Sequence, residues 1–333
     1  MKKFAFLLIF LGGLIWGSPL DVAAQTEAGF DITPLFPTEQ ISDVSTYFDL
    51  RVTPETTTNV GMEIHNTTEY QKEISIQFNT ATTNKYGVID YTKDKVVDSS
   101  LKLQIKDLVK GPVSVIVPAK ETRQVSYEVN IPKEKFAGQL LGGFYVEEVY
   151  PEDRPASQQL IDNTFSYTVA MRLTEDDEKI APNLVLNEIN QGVHNYKNTV
   201  FANLQNTEPT FISELNVQVK VKDLETQEAI VSFEKADLQM APNSNFDLPI
   251  EYTEEYIPVG SYEMQITAQD GDGNAWRLNK KFQIKRAEAE TLKGAALPNW
   301  VIIGIAIVIG LLLAILLILL ILLRKKKAPP MNE

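Results

Sequence analysis

Between Gln25 and Lys285 apolar residues recur at every second position, as in Val60, Met62 and Ile64, then Ile74, Ile76 and Phe78, then Val113, Val115 and Val117. The period continues through Val125, Tyr127, Val129 and Ile131, and through Phe165, Tyr167, Val169, Met171 and Leu173. Further on, Val200, Ala202 and Leu204, Leu215 to Val221, Phe246 to Ile250, Tyr262 to Ala268, and Trp276, Leu278, Phe282 and Ile284 repeat it. Side chains alternate across a strand, so this period predicts strands with one buried and one wet face. Pro, Gly, Asn and Asp punctuate the runs, and many short strands so divided predict β-sandwiches.

Two shifts in composition divide the chain. Tyr150 to Gln159 is polar and carries two prolines, which reads as a linker. The stretch 287–299, with Ala, Glu and Gly, reads as a stalk. The expected fold is therefore an all-β ectodomain of two tandem immunoglobulin-like β-sandwiches, 30–149 and 160–286. A weak internal repeat supports the pairing. Val60 to Thr67 and Val200 to Thr207 are both alternating strands ending in Asn-Thr. Val117-Pro-Ala-Lys corresponds to Met240-Ala-Pro-Asn, and Ile131-Pro with Gly138 corresponds to Ile257-Pro with Gly260.

The two ends follow a different pattern. Lys2 and Lys3 precede an apolar run from Phe4 to Trp16, and Val22-Ala23-Ala24 offers a small-residue cleavage site, so 1–24 reads as a secretory signal peptide. Trp300 to Leu323 is a stretch of 24 residues without a charge. That suffices to cross a bilayer, which needs about 20. Arg324, Lys325, Lys326 and Lys327 follow it and hold the tail, 324–333, on the cytoplasmic side. Trp300 suits the outer interface. The expected topology is a single-pass type I membrane protein whose ectodomain faces the cell wall and exterior.

Charge and cysteine content narrow the partners. From 25 to 299 the chain holds 25 basic and 42 acidic residues, a net charge of about −17, which disfavours nucleic acid and favours basic partners. The chain has no Cys and two His, which removes thiol nucleophiles and Cys-ligated metals. An ectodomain without disulfides must be held by its cores alone, a usage that fits a Gram-positive surface better than an animal one.

Tyr47-Phe-Asp-Leu-Arg-Val-Thr-Pro54, Pro118-Ala-Lys120 and Leu140-Leu-Gly-Gly-Phe144 in the first half, and Met240-Ala-Pro-Asn-Ser-Asn-Phe246, Pro258-Val-Gly-Ser-Tyr262 and Trp276 before Phe282-Gln-Ile284 in the second, occur in a characteristic order. In these features the chain resembles the WxL-interacting proteins of low-GC Gram-positive bacteria. The resemblance implies a peptidoglycan-binding first domain and a second domain that binds host components and WxL-domain surface proteins. With no catalytic constellation among its residues, the expected role is non-catalytic adhesion with no cofactor. An alternative is a membrane-tethered scaffold or chaperone for assembly of secreted WxL proteins, without host or peptidoglycan contact.

Candidate chemistry is sparse. Gly142 and Gly143 could mark a close approach of a ligand or partner, or a bulge in a strand; with Phe144 and Tyr145 they form the candidate binding residues. Tyr86, Tyr91 and Tyr150 add aromatics near polar loops, where rings can stack on sugar faces or anchor an interface. Glu147 and Glu148 are adjacent on a strand and must face opposite ways, so they cannot act on one glycosidic bond. Asp270-Gly-Asp-Gly-Asn274 begins like a calcium loop, but Ala275 and Lys281 stand at its sixth and twelfth positions, so a β-turn is expected. His65 and His194 read as surface histidines, and Glu175 to Glu178 as a solvated loop.

Overall fold

A computed structural model describes residues 29–92, 97–150, 165–195, 197–251, 258–284, 303–304 and 306–315. Eighteen strands are described, and they form two β-sandwiches. The first uses β1 (Phe30–Leu35), β2 (Phe48–Arg51), β3 (Thr57–Asn66), β4 (Lys72–Thr80), β5 (Thr82–Thr83), β6 (Ile89–Asp90), β7 (Val109–Lys110), β8 (Ser114–Val117), β9 (Thr122–Asn130), β10 (Gln139–Glu148) and β11 (Ser166–Thr174). One sheet runs β1-β3-β9-β7 and faces a second, β2-β11-β10-β4-β8. The inward positions of both sheets, among them Met62, Ile64, Ile74, Ile76, Val129, Phe144 and Met171, make one core. A 3-10 turn, Ile105–Leu108, adds Ile105 and Leu108 to it.

The second sandwich uses β12 (Leu184–His194), β13 (Lys197–Asn206), β14 (Ile212–Asp223), β15 (Ala229–Met240), β16 (Ser244–Glu251), β17 (Gly260–Gln269) and β18 (Ala275–Ile284). Its sheets are β12-β13-β16 and β15-β14-β17-β18 around a separate core. The alternation read from the sequence is borne out here in register. Val217, Val219 and Val221 oppose Ala268, Ile266 and Met264, and all six are buried.

The two sandwiches repeat one plan. The order β1-β3-β9 matches β12-β13-β16, and β11-β10-β4-β8 matches β18-β17-β14-β15. The paired Asn-Thr strand ends have the same physical job. Asn66, fully buried, donates to the carbonyls of Tyr70 at 2.7 Å, Val117 at 3.0 Å and Pro118 at 3.1 Å. Asn206, also fully buried, donates to Thr210 at 2.6 Å and Ala241 at 3.2 Å. Each asparagine thus satisfies backbone acceptors of a nearby turn and of a distant one. The distant turns are the corresponding segments, and each holds one non-glycine residue in the left-handed region, Lys120 (φ 59°) and Asn243 (φ 47°).

One strand differs from the sequence expectation. The alternating run 165–173, allotted by sequence to the second domain, is β11, which pairs antiparallel with β10 and parallel with β2 in the first sandwich. Its counterpart β18 closes the second sandwich in the same way, so the polar stretch after Tyr150 lies inside a β10 to β11 connection. Alternation fixes a strand's faces but carries no information on its neighbours.

Most of Tyr150 to Gln159, the stalk 287–299, the leader 1–24, Trp300 and Arg324 to Lys327 lie outside the described residues. Among the described residues no helix is long and apolar enough to cross a membrane. Within the expected span 300–323 a helix runs over 306–315, and its side chains are exposed.

Candidate functional site

The outer face of β2-β11-β10-β4-β8 carries an open concavity. Thr168 and Ala170 of β11 form its floor, Thr46 and Tyr47, leading into β2, form one wall, and Ile89, Asp90, Tyr91 and Thr92 form the other. The cleft has a volume of about 460 Å³ and is open to solvent. That volume lies within the 300–1,000 Å³ usual for small-ligand sites.

The double glycine makes this wall possible. Gly142 and Gly143 keep unbroken register with both β4 and β11, so no bulge occurs there. Gly142 turns to the core, where an added Cβ would lie 2.6 Å from Ile105 Cγ2 and 2.7 Å from the Asn79 carbonyl. Gly143 turns outward, where an added Cβ would lie 2.9 Å from Tyr91 Cδ1. The Tyr91 ring therefore lies on the bare backbone of Gly143. Asn79, the register partner of Gly143, donates to the Tyr91 carbonyl at 2.7 Å and fixes the segment from below. Burial raises the Tyr91 hydroxyl to about 12, so the phenol stays neutral. Asp90 Oδ1 accepts from the Thr92 amide at 2.9 Å and from its hydroxyl at 2.7 Å, forming an Asx turn at the rim.

Of the four residues singled out by sequence, Gly143 and Tyr145 face outward beside this cleft, Tyr145 half-buried opposite Thr168 and Gln77. Gly142 and Phe144 face the core. Phe144 is fully buried among Phe48, Phe78 and Tyr127, with ring centroids 4.6–6.2 Å away. Sequence reasoning did not single out Tyr47, Thr46, Thr92 or Thr168, because a half-wet strand position looks the same whether or not a loop walls it.

The cleft's described lining is three threonine hydroxyls, two phenol rings, one carboxylate and the apolar side chains of Ile89 and Ala170. Arg172, two residues along β11 from Ala170, is engaged by Asp49 through both Nε (2.8 Å) and Nη2 (2.6 Å). The guanidinium's hydrogen bond to Asp49 raises its pKa, burial opposing it. Such a lining offers ring faces and hydroxyls to a ligand. Among the described residues no three His, Asp or Glu cluster so as to hold a metal ion. Glu147 and Glu148 face opposite ways, as expected, and buried Glu148 pairs with Lys72. The Asp270 segment is a hairpin turn whose carboxylate takes both the Asn274 amide (2.8 Å) and the Asn274 side chain (2.7 Å). His65 lies on the surface against Thr122, but His194 does not match expectation. It is 8% exposed, with the rings of Tyr86 and Phe201 both at 6.4 Å.

The hairpin that walls the cleft also joins the two sandwiches. From β5, the Thr83 hydroxyl meets Ser244 Oγ at 2.6 Å and accepts from the Ala241 amide at 3.0 Å. At the hairpin tip the Gly87 carbonyl accepts from the Gln239 amide at 2.6 Å. Beside it, Asp98 accepts from Ser100, from Gln205 at 2.7 Å and from Asn245. Asn187 donates to Gln205 (2.9 Å) and to Asn203 (3.1 Å), and Asn203 donates in turn to Asn245 (3.1 Å). The carboxamides on the outer face of β12-β13-β16 thus form a directed network that ends on two carboxylates, Asp247 of the same face, which accepts from Asn203 at 2.8 Å, and Asp98 from the first sandwich.

Fold and cleft define a protein of two repeated β-sandwiches that presents an open polar and aromatic site on the first. Comparison with known proteins narrows this. The peptidoglycan binding domain of WxL Interacting Protein matches residues 30–148, and its host binding domain matches 156–293. The chain belongs to the WxL-interacting protein family. No curated protein matches it. Among solved structures, a chain of the CFA/I fimbrial chaperone–tip adhesin complex is 12% identical, with TM-score 0.32, covering 76% of this chain and 98% of its own. The YadV chaperone is 11% identical, with TM-score 0.31, covering 76% and 100%. A chaperone of Pseudomonas aeruginosa is 12% identical, with TM-score 0.28, covering 68% and 93%. Likenesses at these scores carry no argument about function.

Proposed function

We propose that this chain is a non-catalytic, membrane-anchored surface protein whose first immunoglobulin-like sandwich holds peptidoglycan and whose second takes WxL-domain proteins or host components. The tandem match to a peptidoglycan binding and a host binding domain carries the reading. Type I anchoring through 300–323 is supported by the uncharged run, by the cationic cluster after it, and by the exposed apolar side chains of the 306–315 helix. An ectodomain charge of about −17 favours basic protein partners.

The test uses full-length protein in detergent, incubated with purified sacculi and with a WxL-domain protein from the same cell at two salt concentrations. Retention by both supports the reading. Protein binding without sacculus binding would remove the peptidoglycan half, and release of soluble muropeptides would overturn the non-catalytic assignment.

A further inference from the structure

We infer that the cleft between Tyr47 and Tyr91 is the peptidoglycan site of the first sandwich and that it takes the glycan strand, not the stem peptide. This rests on the reading that the first domain binds peptidoglycan. The ligand class follows from the lining. A sugar ring has an apolar C–H face and a rim of hydroxyl and acetamido groups, so it needs ring faces beside neutral donors and acceptors. Tyr47 and Tyr91 supply the rings, and Thr46, Thr92 and Thr168 supply hydroxyls on both walls and the floor.

A stem peptide fits less well. It carries carboxylates and few ring faces, whereas the described lining offers two phenol rings and three threonine hydroxyls, and the nearby Arg172 is engaged by Asp49. The acidic ectodomain as a whole repels such carboxylates. Rigidity also favours a ligand of fixed shape. The Tyr91 ring rests on Gly143, its backbone is held by Asn79, and the Asx turn at Asp90 and Thr92 sets the rim, so little side-chain freedom is lost on binding.

The experiment measures retention of full-length protein on purified sacculi, with competition by chitotetraose or by a sugar-free stem pentapeptide. Two variants probe the site. Tyr47→Ala removes a ring, and Thr46→Arg, at an exposed position, crowds the cleft without disturbing the core. Both should lower retention about tenfold at unchanged melting temperature, and chitotetraose should compete while the pentapeptide should not. If the wild type is retained and Thr46→Arg binds equally well, the site is wrong although the domain's function stands. Competition by the pentapeptide alone overturns the glycan assignment. A wild type that is not retained removes the underlying reading itself.

Discussion

Asp98 of the first sandwich and Gln205 of the second are joined by a hydrogen bond of 2.7 Å, and the same carboxylate also receives Asn245. Two domains of one chain usually move relative to each other unless their interface is large and apolar. Here the junction is polar but directional, with an anionic acceptor at its centre. Hydrogen bonds to charged groups contribute more than neutral ones, about 1.5–3 kcal/mol each. Asp98→Ala should therefore split a single thermal transition of the two sandwiches into two and broaden the ectodomain's small-angle scattering profile. One unchanged cooperative transition would show that Asp98 does not couple the domains.

The same carboxylate predicts a pH dependence. Burial raises the Asp98 pKa, but hydrogen bonds from the Ser100 amide, Asn245, the Ser100 hydroxyl and Gln205 outweigh it and leave the value below the ordinary 3.8. A folded pKa below the unfolded one contributes stability that is present above about 3.8 and is lost as pH falls through the folded value. Denaturation of wild type and Asp98→Asn should differ at pH 7, and the gap should close below pH 3.8. A gap independent of pH would assign the effect to packing alone.

Lys72 and Glu148 form an ion pair inside the end of the first sandwich, with side chains 0% and 8% exposed. Gly29 leaves room for the lysine stem, since an added Cβ would lie 3.1 Å from Lys72 Cε, and the ammonium also lies 5.0 Å from the Tyr70 ring centroid. Removing one partner strands a buried charge, which costs about 3–5 kcal/mol, while removing both with apolar replacements is often neutral. Urea denaturation should show Lys72→Met and Glu148→Leu each strongly destabilised and the double variant largely restored. Equal losses in all three would assign the cost to packing.

Much of the fold was legible because alternation exposes a strand's buried face directly. The internal repeat was legible because the same backbone acceptors need the same buried asparagine in both halves. Asn66→Ala and Asn206→Ala should each leave backbone acceptors unsatisfied and destabilise the protein, at about 1–3 kcal/mol for each stranded group. Calorimetry that found either substitution neutral would remove the shared role. What stayed hidden was set by tertiary neighbours. β11 looked like the start of a second domain, the double glycine looked like a bulge, and His194 looked exposed. The sequence allows a close approach at Gly143 as one of two readings, but carries no sign that the approaching group is Tyr91 of the same chain, some 50 residues earlier. The carboxamide network was invisible for a simpler reason, since Asn and Gln on a wet face are ordinary until the fold brings Asp98 of the other sandwich to them.

The β5 to β6 hairpin gives the cleft and the joint a common element. Its outer side supplies Ile89 and Asp90 to the cleft, and its tip docks on β15, with the Gly87 carbonyl on the Gln239 amide at 2.6 Å. Gly87 holds φ +72°, which favours glycine, and an added Cβ would lie 2.5 Å from Leu238 Cδ2. Gly87→Val meets both obstacles, strain in the turn and a clash with a buried leucine, so the tip must lift from the second sandwich. Amide exchange should accelerate first at Gln239 and Ala241, whose donors point at Gly87 and Thr83, and remain slow in the β14 to β17 ladder. Sacculus retention should fall with it, because the wall that carries Asp90 and Thr92 loses its support while every lining side chain is kept. Normal exchange at Gln239 in Gly87→Val would mean that Leu238 yields instead and that the hairpin does not transmit the joint to the cleft.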